Sequence, residues 1–370
     1  MIEVKPVVSA WDRQRFFRFS RQLYRDNPYW VSWPVANLTK LLNPTKCQFY
    51  HHGVAAAWLA YCQGQIVGRI AGSIDMAHND TYAAQTAFFG FYECIDDENV
   101  ARTLVDTMAT WAKRQGMTRV EGPYELTSAY GAGLLIEGFD DAPYVGMPYH
   151  MPYYQQQLEF LGFQKVKDLY AFKLTGFPLL PDAMVKYARR CEKSDKITCR
   201  ELNPRNLRAE SNLVCELYND AFADRWGHVP IEKSEFYQMA LDWIELIDPK
   251  LFLFVMVHGE PAGFGMMVPD AFQSQRNKSQ FNFFRCQRLI GHGQSSITRC
   301  RFDTFAIRKK YRHLALGGLF FWKFFNLYLD GGFSSAEFSP IVEDNRTSQS
   351  MVTYAGAQRS KVYRIFGRVL

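Results

Sequence analysis

A chain of 370 residues with 48% hydrophobic and 22% charged side chains has the apolar mass for two buried cores, which excludes a disordered or low-complexity protein. Its net charge of +6 suits an acidic ligand but, without a long Lys/Arg run, does not call for DNA. The eight cysteines, at 47, 62, 94, 191, 199, 215, 286 and 300, include no Cys-x-x-Cys pair, so they predict reduced core residues and no metal site.

The N-terminus carries Glu3 and lacks a basic start followed by an apolar run, and the longest strand-like apolar run, Leu251 to Val257, is too short to cross a bilayer. These features predict a cytoplasmic enzyme with no membrane span. In chain order, "IEVKPV" reads as a strand and Trp11 to Tyr24 as a helix. Val54 to Asp75 follows as a hairpin around Gln63-Gly64, then "TAFFGFYECI" as a strand and Val100 to Gln115 as an amphipathic helix. "TRVEGPY" is a strand, Tyr154 to Leu161 a helix, and "FQKVKDLYAFKL" a closing strand.

The same order then repeats. "ITCREL" is a strand, Leu207 to Phe222 a helix, and Leu251 to Asp270 a hairpin around Gly259. "RCRFDTFAIR" is a strand, Leu316 to Leu329 a helix, "SSAEFS" a strand, Arg346 to Tyr354 a helix, and "SKVYRIFGRV" the last strand. Gly64 matches Gly259, Gly68 matches Gly263 and Asp75 matches Asp270 at one constant offset, which predicts an internal duplication. The Pro-containing "TGFPLLPDA" (Thr175 to Ala183) sits between the repeats as the expected linker, and the division is a first module over 1–178, a linker over 179–194 and a second module over 195–370.

The stretch "AIRKKYRHLALGGLFFW" (Ala306 to Trp322) passes from strand through a cationic turn to a helix start. Free backbone N–H groups and the positive end of the helix dipole favour an anion there, and Arg308, Lys309, Lys310, Arg312 and His313 reinforce that sign. The aromatic run from Gly318 reads as core, because a helix apolar on nearly every side is buried between layers.

This second half resembles the GNAT superfamily of acyl-CoA N-acyltransferases. The family's loop follows Arg/Gln-x-x-Gly-x-Gly/Ala, and Arg312-His313-Leu314-Ala315-Leu316-Gly317 fits it except at Ala315. "DNRTSQSMVTYAGAQ" is similar to the family's Asn-led helix, with Asn345 leading, Gly356 matching its glycine and Ala357 replacing its Phe. The resemblance implies an α/β fold of two tandem GNAT-like modules, each a mixed, mostly antiparallel sheet flanked by helices. It implies that backbone N–H groups of Leu314, Ala315, Leu316, Gly317 and Gly318, with Arg312, His313, Asn345 and Ser348, hold the coenzyme A part of an acyl-CoA, most simply acetyl-CoA. A backbone N–H within Phe305, Ala306 and Ile307 then polarises the thioester carbonyl. In the first module "GFYECIDDENVART" puts Glu93, Asp96, Asp97 and Glu98 in place of the cationic loop, and carboxylates repel a diphosphate, so one donor site is expected.

An ammonium must lose a proton before it attacks, which calls for a carboxylate. Asp303 is the first candidate, placed two residues before Phe305 and so on its face by strand alternation; Glu337 and then Glu343 follow. Val352 occupies the place where many family members carry a thiolate-protonating Tyr, which leaves Tyr354 as the candidate acid. Two further stretches are expected at an acceptor: the Gly/Pro/Tyr-rich segment Glu121 to Tyr154, and Tyr218 to Pro230 with Trp226 and His228. The expected acceptor is a small-molecule amine. An acyl carrier protein or tRNA as donor, a non-catalytic binding protein, and a homodimer remain open.

Overall fold

The computed structural model describes residues 1–31, 33–274 and 297–370; Cys286 lies outside them. They form two compact units. In the first lie β1 (Ile2–Pro6), α1 (Ala10–Leu23), α2 (Val35–Leu41), β2 (Gly53–Cys62), β3 (Gln65–Asp75), α3 (Met76–Tyr82) and β4 (Thr86–Cys94). α4 (Glu98–Arg114), β5 (Arg119–Gly122), β6 (Leu134–Glu137), α5 (Tyr153–Phe160) and the start of β7 (Gln164–Thr175) complete that stretch. The second holds α6 (Asp182–Glu192), β8 (Ile197–Glu201), α7 (Leu207–Phe222), α8 (Lys233–Trp243), β9 (Phe252–Val257) and β10 (Glu260–Pro269). It continues with β11 (Arg299–Ile307), α9 (Leu316–Asp330), β12 (Ser335–Val342), α10 (Arg346–Tyr354) and the start of β13 (Gln358–Val369).

The boundary in space differs from the boundary in the chain. Division falls inside two strands, at Leu169/Tyr170 of β7 and Ser360/Lys361 of β13. The last strand therefore completes the first unit, where Phe366 pairs with Gly122 and Val369 with Arg119, antiparallel to β5. The sequence order alone had placed this strand in the second repeat. The segment 179–194 read as a linker contains α6, whose Ala188 and Cys191 are buried in the second unit's core.

Each unit is a mixed sheet flanked by helices, in the order β1-β2-β3-β4-β5-β13-β7 in the first and β7-β12-β11-β10-β9-β8 in the second. The duplication shows in detail at the hairpins. Gln63 and Gly64 turn β2 into β3 with φ of 50° and 79°, and His258 and Gly259 turn β9 into β10 with φ of 50° and 81°. Left-handed residues at both central positions make the two-residue turn whose twist matches the strands. A register shift follows each turn, leaving Val67 and Ala262, which match at the same offset, without a partner.

In both units the central parallel pair parts midway. β4 and β5 pair as far as Phe88 and Glu121, and β11 and β12 as far as Phe302 and Phe338; beyond those residues β4 and β11 run on without them. On one face of the first sheet α4 buries Leu104, Met108 and Ala112. Gly72 lets it come close, since a Cβ there would lie 2.9 Å from the Trp111 ring. In the second unit α9 buries Phe320, Phe324 and Phe325 against β11 and β12, so the aromatic run is core, while α7 covers the other face with Val214 and Leu217.

Candidate active site

The cationic turn leaves β11 at Arg308, winds through one short helical stretch over Lys309–Leu314, and enters α9 through Ala315. Ala315 has φ 51° and ψ 30°, the left-handed region that glycine enters freely and that costs an L residue roughly 1–2 kcal/mol. The loop position that carries glycine in the family it resembles is thus held in the glycine conformation by an alanine. Ala315→Gly should raise the unfolding free energy by about 0.5–1 kcal/mol after glycine's extra chain entropy is set against it, read as a shift in the denaturant midpoint.

No side chain caps α9; the Ala315 and Gly318 N–H groups donate to the Arg312 and Ala315 carbonyls at 3.3 and 3.0 Å, which leaves those of Leu316 and Gly317 to solvent or a ligand. The cations around it engage replaceable partners. Lys309 pairs with Asp224 at 2.7 Å, Lys310 with Glu260 at 2.7 Å and Arg308 with Asp220 at 3.6 Å. Arg312 donates to the Ala221 carbonyl at 2.6 Å, His313 is exposed, and the Leu314 carbonyl accepts from the Tyr187 hydroxyl. Gly317 and Gly318 face Met351 and Met184, and Leu316 points into the core. Exposed ion pairs of this kind are weak and screened by salt, so an anion competes with them readily.

The equivalent helix start in the first unit is closed. Asp97 caps α4, its Oδ1 accepting from the N–H of Asn99 at 2.8 Å and of Val100 at 3.2 Å. A carboxylate therefore sits where an anionic ligand of α4 would bind. Asn345 does similar work for α10, accepting from the Ser348 N–H at 3.1 Å, so both residues serve first to start that helix.

The carboxylate candidates converge on a different face from the one strand alternation predicts. A register shift between Met266 and Met267 leaves Asp303 unpaired in β11, and the alternation reverses there. Phe302 and Phe305 consequently stack together at 5.9 Å on the α9 side, and Phe305 also packs on Phe321 at 5.5 Å. Ala306 turns to the α7 side and Ile307 back to the α9 side. Asp303 instead meets Arg301 at 2.6 Å and accepts from the Thr304 hydroxyl at 2.7 Å. Arg301 donates through Nε to Ser339 Oγ at 3.2 Å, and Ser339 donates to Glu337 at 2.6 Å. Asp303 and Glu337 are thus linked through Arg301 and Ser339, with Glu337 fully buried and Asp303 partly accessible.

α7 supplies the wall beside Asp303. Asn219 clamps Ile231 by two hydrogen bonds, of 2.9 and 3.0 Å, which fixes the loop between them. Tyr218 and Arg225 both feel the Asp303 charge. His228 lies 5.6 Å from the Tyr218 ring, and burial followed by the Arg225 charge pulls its imidazole below the usual range, so it is neutral at pH 7. Trp226 is exposed on this loop. Tyr354 is not brought to the cluster. It is 63% exposed, two residues and hence about 200° around α10 from the buried Val352, so the expected acid points away from the core. Glu343 accepts from Gln349 through its backbone carbonyl, at the entry to α10.

No family model matches the chain. It is 28% identical over 370 residues to Protein YghO of Escherichia coli (strain K12), covering 98% of this chain and 94% of that one. It is 26% identical over 376 residues to the bacterial ceramide synthase of Caulobacter vibrioides (strain NA1000 / CB15N), covering 100% and 98%. Its structure superposes on a tandem GNAT protein from the clavulanic acid biosynthesis pathway with a TM-score of 0.60 and 12% identity, over 100% of this chain and 98% of that one. The chain has the tandem GNAT fold.

Within this fold, the residues that the motif reading passed over are Arg301 and Ser339, which orient the carboxylates, and Arg225. Each stands in an otherwise apolar or loop context that offers no spacing rule. Arg301 was nonetheless signalled by charge inside a strand, since a cation in a buried strand needs a partner. Among the described residues no group of three or more His, Cys, Asp or Glu is placed to hold a metal ion, and no helix is long and apolar enough to cross a membrane.

Proposed function

We propose that the protein is an N-acyltransferase whose second unit grips the diphosphate of an acyl-CoA at the start of α9 and directs its acyl group to an amine. The observation that carries the reading is the contrast between two equivalent helix starts: α4 is closed by its own Asp97 carboxylate, while α9 has no side-chain cap and is ringed by cations. When bound, the thioester supplies the activated acyl carbon. The chain's own contribution is to hold and orient. Backbone N–H groups of α9 take the diphosphate with Arg312 and His313. The stretch Phe305 to Ile307, running on past the end of the pairing with β12, offers a backbone donor to the carbonyl. Asp303, the accessible member of its cluster, receives the proton of the attacking amine.

The ceramide synthase similarity along the whole chain extends this reading to substrates. Ceramide is the amide of a fatty acid with a long-chain amino alcohol, so a fatty acyl donor and a long-chain amine are favoured over acetyl-CoA and a small amine. Calorimetry with acetyl-CoA, palmitoyl-CoA and carrier-bound palmitate, followed by free-thiol release with a panel of short and long amines, tests it. Thiol release is expected with the long pair. Arg312→Glu, which reverses charge beside the phosphates, should weaken donor binding by roughly 10-fold. Tight donor binding without turnover on any amine would favour a non-catalytic binding protein, and unchanged affinity in Arg312→Glu would remove the donor site from α9.

A further inference from the structure

The segment read from the sequence as a linker takes no part in acyl transfer, yet it holds apolar side chains out in water. Leaving β7, the chain turns at Gly176, whose φ is 77°, and crosses to α6 through a short stretch that contains Pro178 and Pro181. Phe177 is 83% exposed and Leu179 is 68% exposed. The crossing is nonetheless tied down. The Gly176 N–H donates to the Ser334 carbonyl at 2.9 Å, the Gly176 carbonyl accepts from the Tyr328 hydroxyl at 2.9 Å, and the Leu179 N–H donates to the Ala355 carbonyl at 3.0 Å. Each proline fixes its own φ and restricts the residue before it. A loop immobilised in this way presents its side chains at a fixed place, and Phe177 and Leu179 forgo the burial that would have stabilised the fold.

Topology puts the crossing on the outer surface of the second unit. α6, α9 and α10 pack into one core on the same face of the sheet, where Cys191, Phe320 and Val352 meet. Met184 of α6 faces Gly318, and Met351 of α10 faces Gly317, so these two helices flank the start of α9. The inner side of α9 is packed on the sheet. The chain therefore passes along the outside of this helical layer, from Tyr328 near the end of α9 to Gly318 at its start, and meets the end of α10 at Leu179. Tyr354, the residue before Ala355, is 63% exposed beside that contact.

α6 continues the same surface with cations. Its buried Ala188 and Cys191 fix the inward side, and at about 100° per residue Lys186, Arg189, Arg190 and Lys193 fall on the opposite side, all four exposed. Arg189 and Arg190 lie over the Trp322 and Tyr187 rings at 5.6 and 5.8 Å and keep their charge outward. Over 182–193 the acids are Asp182, at the helix start, and Glu192, which pairs with Lys323. The outer side of α6 is thus positive next to a fixed apolar loop.

We infer that this surface docks the protein on an anionic phospholipid bilayer, with Phe177 and Leu179 entering between the headgroups, Tyr354 at headgroup level and the outer cations of α6 against the phosphates. Shape and charge select the occupant. Two protruding side chains and one ring make too small an apolar core for a standard protein interface of roughly 800 Å² a side. Protruding side chains are buried best by a surface that yields around them, as a fluid bilayer does, and the cations beside them add attraction to anionic lipid. A neutral bilayer leaves the α6 cations without counter-charge. The inference concerns this surface alone and stands whether or not the second unit transfers an acyl group.

Sedimentation of the full chain with vesicles tests it, using phosphatidylcholine alone and phosphatidylcholine mixed with an equal part of phosphatidylglycerol. Binding is expected to the mixed vesicles at low salt, about 10-fold weaker at ~0.5 M salt, and negligible to phosphatidylcholine alone. Phe177→Ser with Leu179→Ser should weaken binding to the mixed vesicles by roughly 10-fold or more. Lys186→Gln with Arg190→Gln should weaken it by a similar factor and flatten its salt dependence. Both pairs change exposed side chains, so unfolding midpoints should stay near the parent's. Trp11→Ser with Arg18→Gln, on α1 where an exposed ring also stands near arginines, should leave binding unchanged. No binding to the mixed vesicles, equal binding to phosphatidylcholine, undiminished binding in the Phe177/Leu179 pair, or lost binding in the α1 pair would each overturn the assignment. Sedimentation velocity without lipid covers the other occupant: a dimer that Phe177→Ser with Leu179→Ser dissolves would give this face to a second copy of the chain.

Discussion

Arg69→Met is expected to lower the unfolding free energy by about 3–5 kcal/mol, the largest loss from any single substitution considered for this chain. Among the described residues this is the one cation paired with Glu93 at contact distance, and the two side chains are 7% and 9% exposed. Methionine fills much of the space but leaves Glu93 buried with one hydroxyl donor, and removes the cation that moderates Glu125. It also deletes the guanidinium from the faces of Phe16, Phe17 and Phe91, at 4.8, 5.5 and 5.8 Å, contacts that add roughly 0.5–2 kcal/mol where desolvated. The exposed pair Lys233–Glu216, by comparison, is 56% and 46% exposed and should contribute little, because water and salt screen it. Urea unfolding at pH 7 measures both. Arg69→Met with Glu93→Gln should recover part of the loss, because the stranded charge leaves with its partner. A loss below 1 kcal/mol in Arg69→Met would show that water reaches Glu93 and that the pair is a surface feature.

How much of this was legible beforehand depended on whether a feature is local. The paired glycines 64 and 259 fixed both hairpins, because a two-residue turn with left-handed centres has few solutions and glycine marks them. The uncapped start of α9 was readable from a cationic turn running into Ala315 and two glycines. Two features were not readable because they are set by pairing between distant segments. Nothing in "SKVYRIFGRV" says that it pairs with β5, more than two hundred residues earlier, rather than with its own repeat. Nor does "RCRFDTFAIR" announce a register shift at Asp303, which put that carboxylate on the α7 side and Phe305 on the α9 side. The buried Arg69–Glu93 pair of the first unit fell between these cases. Arg69 inside "QIVGRIAGSID" breaks an apolar strand and so asked for an acid, and Glu93 inside "TAFFGFYEC" answered.

Ala315→Asp should make the second helix start resemble the first, and its effect on donor binding should be on the order of 100-fold. The position demands a left-handed residue, which aspartate enters more easily than alanine, so folding should not suffer. A carboxylate there stands beside the N–H groups of Leu316 and Gly317 at the start of α9, as Asp97 stands beside those of Asn99 and Val100 in α4. Repulsion between it and a diphosphate at 4 to 5 Å amounts to roughly 3–4 kcal/mol at the effective dielectric of a protein surface, reduced to about 2–3 kcal/mol by salt. Ala315→Asn has nearly the same shape and the same backbone tolerance without the charge, and should keep donor affinity within a few-fold of the parent. Calorimetry with coenzyme A separates the two, with unfolding midpoints as the check that both fold. Equal loss in Asp and Asn would mean that the side chain acts by bulk, and no loss in Asp would mean that the diphosphate is held away from α9. The expected pattern, loss with Asp alone, would make the charge at one backbone position the difference between a helix start that takes a nucleotide and one that refuses it.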